Sequence, residues 1–158
     1  MKKLVLLLFY STFSFAQTYT ILNQEKTDVS YRGLAIESDS VFLISGSKNT
    51  IIKTSDGGKS FENINPNVVQ NRDFRDIEIL NKDTYLVLGI DSPAYLLLTN
   101  DGGKIWKKIY ENNHEKIFLN ALYHNKTERE VYVIGDPINS KTPFILKSKQ
   151  KNLQDGIH

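Results

Sequence analysis

Two arginines are the side chains of this 158-residue chain best suited to hold a charged ligand. Arg32 and Arg75 stand 43 residues apart, each the second residue of a short apolar run, in Tyr31-Arg32-Gly33-Leu34 and Phe74-Arg75-Asp76-Ile77. A guanidinium stays charged and presents a planar fork that grips carboxylate or phosphate through two parallel bonds. The competing reading is structural: each arginine pairs with a nearby carboxylate such as Asp76 or Glu78 and ties strands together. Asp76, next to Arg75, is also a candidate for the binding surface, and Asp136, which opens an Asp-Pro turn signal after Gly135, belongs either to that surface or to a rigid loop. His114, His124 and His158 are isolated, and nothing has metal-ligand spacing, so no metal is expected. The chain has no Cys, no Gly-x-Gly-x-x-Gly and no haem motif, so no redox cofactor is expected either.

The elements that must position these residues are announced by a repeated turn. Thr54, Asp56, Gly58 and Phe61 recur as Thr99, Asp101, Gly103 and Trp106, with the aspartates 45 residues apart. Asp-Gly between apolar runs marks a β-hairpin, because the Asp side chain bonds amides of its own turn and glycine accepts positive φ. The aromatic five residues past each Asp leaves the turn on the next strand. A period of this size is that of one four-stranded propeller blade. Lys59 and Lys104 stand where a calcium loop would need oxygen ligands, so the two boxes are expected to be structural.

The same grammar runs along the chain. Residues 31–36, 74–79 and 118–122 read as first strands. The continuous apolar runs 41–44, 84–88 and 131–134, each closed by a glycine (Gly46, Gly89, Gly135), read as strands buried on both faces. Residues 50–53, 94–98 and 144–148 lead to the turns. The expected fold is all-β: propeller blades of four antiparallel strands, two full and a third incomplete, over repeats at about 30–66, 73–111 and 117–158. In the third repeat Leu119 is read at the arginine position, and the Asp, glycines and aromatic of a third box are missing. A ring needs roughly four to eight blades, so either copies of the chain assemble to close it or the sequence is a shortened form of a longer one.

Residues 1–16 carry Lys2 and Lys3, an apolar stretch at 4–9 and a Ser14-Phe15-Ala16 cleavage signal, the pattern of a secretory signal peptide cut after Ala16. The competing reading is an N-terminal anchor, although the stretch is short for a span and, without Cys, not a lipoprotein. Export to the periplasm or exterior is expected, with no membrane span after cleavage. Residues 17–29 read as a polar lead-in with one candidate strand at 19–22. The whole chain has 20 basic and 18 acidic residues; removing Lys2 and Lys3 leaves 18 of each. A formally neutral protein has no global field for nucleic acid, which is set aside as a partner.

The pattern Ser/Thr-x-Asp-x-Gly-x-x-Trp/Phe resembles the Asp-box, or bacterial neuraminidase repeat, which in its families is a folding device on the blade rim. Tyr-Arg-Gly-Leu, Phe-Arg-Asp-Ile-Glu and Val-Ile-Gly-Asp-Pro-Ile-Asn, placed relative to the boxes, resemble exported bacterial relatives of the photosystem II assembly and stability factor family, over about residues 30–148. The resemblance implies a non-catalytic binding or scaffold propeller with a protein partner, met by arginines on the channel face; that carries over to Arg32 and Arg75. It also implies more blades than this chain supplies. Two alternatives stand beside it. One is a sialidase-like glycoside hydrolase fragment acting on extracellular glycan, which would need a third arginine, a Tyr nucleophile and an Asp acid. The other is a truncated product without independent activity.

Overall fold

A computed structural model of the chain describes residues 19–22, 27–139 and 141–149. The proposed signal peptide lies outside the described residues. The described residues form eleven strands and no helix, so none is long and apolar enough to cross a membrane. The strands make three antiparallel sheets in simple sequence order. The first holds β1 (Tyr31–Ile36), β2 (Phe42–Gly46), β3 (Ile51–Thr54) and β4 (Glu62–Asn63); the second holds β5 (Phe74–Asn81), β6 (Thr84–Gly89), β7 (Ala94–Thr99) and β8 (Lys107–Asn112). The third holds β9 (Leu119–Asn125), β10 (Glu130–Gly135) and β11 (Phe144–Lys149). This is the all-β, blade-wise architecture expected from the repeats, with three strands described in the last blade.

The middle sheet shows why its apolar runs are unbroken. Successive residues of a strand point to opposite faces. Tyr85, Val87, Tyr95 and Leu97 enter a core shared with Ala35, Leu43 and Ile51 of the first sheet. Leu86, Leu88, Leu96 and Leu98 enter a second core with Leu119, Leu122, Val131 and Val133 of the third sheet. Both faces are covered, so β6 and β7 are buried along their whole length. Each leucine so buried contributes about 1.5–3 kcal/mol. Among the described residues the first and third sheets have one covered face each, and β11 accordingly alternates between half-buried and exposed residues.

The inner strands β1, β5 and β9 lie side by side. Gly33 permits this between the first two blades: a Cβ there would stand 2.8 Å from the Asp76 Cα and 3.0 Å from the Ile77 nitrogen. Residues 19–22 are not a strand, contrary to the sequence expectation. They form no strand ladder among the described residues, and Leu22, half exposed, lies beside Gly58, whose other near neighbour is the Phe42 ring.

Candidate partner-binding site

Each inner strand carries a β-bulge at the same place. In β1 the register steps from Tyr31 opposite Gly46 to Gly33 opposite Ser45, leaving Arg32 as the extra residue. In β5 it steps from Phe74 opposite Gly89 to Asp76 opposite Leu88, leaving Arg75. In β9 it steps from Leu119 opposite Gly135 to Ala121 opposite Ile134, leaving Asn120. A bulge re-aims the side chain of its unpaired residue. Here it turns all three toward one open groove of about 480 Å³, lined by Arg32, Arg75, Asp76 and Asn120. The third member of the arginine series is therefore Asn120 and not Leu119. Leu119 takes the buried place of Phe74, and the aromatic Phe118, which suggested the other alignment, lies one residue earlier.

Glycines opposite the bulges make room for them. A Cβ on Gly46 would meet the Ser30 carbonyl at 2.7 Å, and one on Gly135 would meet the Phe118 carbonyl at 2.6 Å.

The two arginines have different surroundings. Arg32 donates to Asp73 Oδ2 at 2.8 Å in a partly exposed ion pair. Asp73 Oδ1 accepts the Lys48 amide at 3.1 Å. Burial alone would raise the Asp73 carboxyl, but Arg32 and the Lys48 amide overcome it and hold it below its ordinary value. Arg75 donates Nε to the Asn120 carbonyl at 3.2 Å and sits over the Phe118 ring, 5.5 Å from its centroid. Among the described residues Arg75 has no ion-pair partner. A guanidinium on an aromatic face, with one N–H committed, keeps donors for a ligand.

The carboxylates named by the sequence make no ion pair with the arginines among the described residues, although the Arg75 charge favours the ionised Asp76. Asp76 Oδ2 accepts the Leu122 amide at 2.8 Å and Oδ1 accepts the Ile77 amide at 2.9 Å. Glu78 Oε1 accepts the His124 amide at 3.4 Å. Alternate side chains of β5 thus satisfy amides on the edge of β9, joining the second and third blades. Burial pushes both carboxyls up, against these hydrogen bonds. Asp136 does not line the groove; its Oδ1 accepts Asn120 Nδ2 at 2.7 Å and so fixes that amide. Asp73 and Asn120 are the site residues that sequence reasoning missed. The available signal is the glycine closing each second strand, but the β9–β10 hairpin is one residue longer between its bulge and its glycine than that count allows.

The two Asp-boxes lie on the rim, away from this groove. Thr54 Oγ1 donates to Asp56 Oδ1 at 2.8 Å and accepts the Gly58 amide at 2.9 Å. Asp56 also accepts the Lys59 and Ser60 amides and the Ser60 hydroxyl. The Ser60 hydroxyl and amide, then Thr54, lower its carboxyl to about 2. The second box repeats the pattern through Thr99, Asp101 and Gly103, with the Ile105 amide on Asp101. Gly57, Gly58, Gly102 and Gly103 all hold positive φ. Both carboxylates are occupied by their own turns. Phe61 packs edge-on against Phe42, whereas Trp106 is buried and donates Nε1 to the Ile64 carbonyl of the preceding blade at 2.9 Å. Among the described residues no three His, Asp or Glu side chains converge as metal ligands.

Comparison with known proteins gives the following. The family model described as photosynthesis system II assembly factor YCF48 matches residues 14–117. YCF48 bound to D1 peptide is structurally similar, with a TM-score of 0.57 and 16% identity over 78% of this chain. The GH74 enzyme of Niastella koreensis is similar with a TM-score of 0.62 and 16% identity over 77% of this chain. This chain spans 42% of the first of these structures and 20% of the second. No curated protein sequence matches it.

Proposed function

The chain belongs to the photosynthesis system II assembly factor YCF48 family, and from that premise we propose that it is a non-catalytic, exported binding propeller. Its bulge groove takes a carboxylate-bearing segment of a partner protein. The observation that carries this is Arg75, a partly engaged guanidinium on an aromatic face, lining an open groove and making no ion pair among the described residues, with Asp76, its electrostatic neighbour, committed to backbone amides. Arg32, held by Asp73, supplies a second positive charge to the same groove, and Asn120 supplies an amide fixed by Asp136. A family relative has been seen with a bound peptide, which agrees with a peptide ligand. Export rests on the signal-peptide pattern of residues 1–16; finding Gln17 at the N-terminus of the secreted protein tests it.

The alternative, a sialidase-like glycoside hydrolase fragment, has the GH74 likeness beside it. It needs a third arginine and a Tyr nucleophile, whereas Asn120 holds the third bulge position and the groove is lined by Arg32, Arg75, Asp76 and Asn120.

The test is titration calorimetry with an acidic peptide ending in a free carboxylate, and with its amidated twin. The free acid binds more tightly, and its affinity falls with salt, since the attraction is Coulombic. Arg75→Gln weakens it by about tenfold to a hundredfold, the worth of a charge-assisted bond of about 1.5–3 kcal/mol. Arg75→Lys restores only part, because an ammonium cannot reproduce the fork. Equal binding of both peptides, or full binding by Arg75→Gln, overturns the assignment.

A further inference from the structure

The two arginines of the groove differ because of the residue that precedes the inner strand of the next blade. Ser30, Asp73 and Phe118 hold one place in the three blades. Each stands two residues ahead of its bulge residue, Arg32, Arg75 or Asn120. Its carbonyl accepts the amide that follows the closing glycine of the second strand: Ser47 at 2.9 Å, Ile90 at 3.4 Å and Asp136 at 2.9 Å. From that place the side chain reaches back to the bulge residue of the blade before it. Asp73 accepts Arg32 Nη1 at 2.8 Å. Phe118 presents its ring to Arg75, with the guanidinium carbon 5.5 Å from the centroid. One position thus sets a carboxylate against the first arginine and an aromatic ring against the second.

These two neighbours act oppositely on an incoming anion. A guanidinium that already holds a carboxylate gives a second one less, because the second must displace the first or meet its repulsion. A ring attracts the cation through its π-face and supplies no competing negative charge. Arg75 commits Nε to the Asn120 carbonyl and makes no ion pair among the described residues. Asp76 beside it has its two oxygens on the Leu122 and Ile77 amides. Asp136 holds the Asn120 amide on the third blade. The groove residues and their bonded partners therefore carry two guanidiniums, Arg32 and Arg75, and three carboxylates, Asp73, Asp76 and Asp136. No excess of positive charge is present among them to draw a run of acidic residues.

We propose that Phe118 and Asp73 set the specificity of the groove: Phe118 reserves Arg75 for one carboxylate of the partner, and Asp73 withholds Arg32 from a second. The segment that fits is one with a lone carboxylate among uncharged residues. The inference rests on the carboxylate-binding reading of the groove and adds which arginine takes the ligand and what decides it. Both determinants act through an arginine, so they are positioning residues, and their effect depends on charge and not on packing alone.

The test is calorimetry of the full chain with two acetylated glycine-serine peptides that end in a free carboxylate, one of them with an aspartate next to last. The native chain binds the two within about threefold of each other, because Arg32 already holds a carboxylate. Asp73→Asn keeps an oxygen for the Lys48 amide and frees Arg32. The peptide with two carboxylates then gains about tenfold, the worth of one charge-assisted bond, and the gain vanishes when Arg32→Gln is added. Phe118→Asp gives Arg75 a carboxylate of its own and weakens both peptides by about tenfold, whereas Phe118→Asn, which matches it in shape without the charge, weakens them far less. Far-ultraviolet dichroism checks the fold of each variant, and the Asp73 arm decides by itself where Phe118 does not tolerate replacement. Equal losses in Phe118→Asn and Phe118→Asp, or no gain from Asp73→Asn, overturn this inference and leave the carboxylate reading standing. Native binding that is absent, or untouched by Arg75→Gln, overturns both.

Discussion

Truncating Trp106 tests whether the aromatic of the second box holds two blades together. Its ring is 2% exposed in the core between the first and second blades, and its indole N–H is bonded to the Ile64 carbonyl. Replacing a buried Trp by Ala costs about 3–5 kcal/mol through lost transfer energy and the cavity left. Stranding the Ile64 carbonyl places the loss toward the upper end of that range, since an unsatisfied buried acceptor costs about 1–3 kcal/mol. Phe61 holds the same place in the first box but is only partly buried and touches Phe42 on the uncovered side of the first blade. Phe61→Ala is accordingly expected to cost less than half as much. Trp106→Phe isolates the hydrogen bond and falls between the two. The assay is urea unfolding followed by far-ultraviolet dichroism, because Trp106 is the sole Trp and its fluorescence disappears with it. Equal costs for Phe61→Ala and Trp106→Ala would refute the claim that the inter-blade contact, and not the turn, sets the value of this aromatic.

Gly103→Ala is strained twice, by φ +96° and by the Ile64 Cβ at 2.8 Å, whereas Gly57→Ala at φ +73° meets only the Asp39 carbonyl at 3.3 Å; urea midpoints should show the first as clearly the more damaging. Burial holds the His124 imidazole below its ordinary value, with Lys126 adding to this and the Ile79 backbone opposing it. The neutral ring's contribution is therefore intact above pH about 6.5 and declines below it, and His124→Gln should flatten the stability profile in that window. Asp56 has its carboxyl lowered to about 2, so the first box contributes fully above the ordinary Asp value and loses that contribution as pH falls toward about 2; a carboxyl-carbon NMR titration of Asp56 with acid unfolding of Asp56→Asn checks both halves.

The sequence by itself determined what depends on neighbours a few residues away. The Thr-x-Asp-x-Gly turns fold as read because the bonds that the Thr and Asp side chains make in them run between residues within four positions of each other. The doubly covered strands β6 and β7 were legible because burial on two faces leaves no charged position in the run. Tertiary structure decided the rest. Whether Leu119 or Asn120 joins the arginines depends on where the bulge of β9 falls against β10, and that register is set by the fit of two strands. Arg32 reaches Asp73 across 41 residues, and Asp76 and Glu78 answer amides 46 residues away on another blade. Turn chemistry is short-ranged and written in residue types, whereas the groove is made by the separation of three inner strands, which the packing of whole blades fixes.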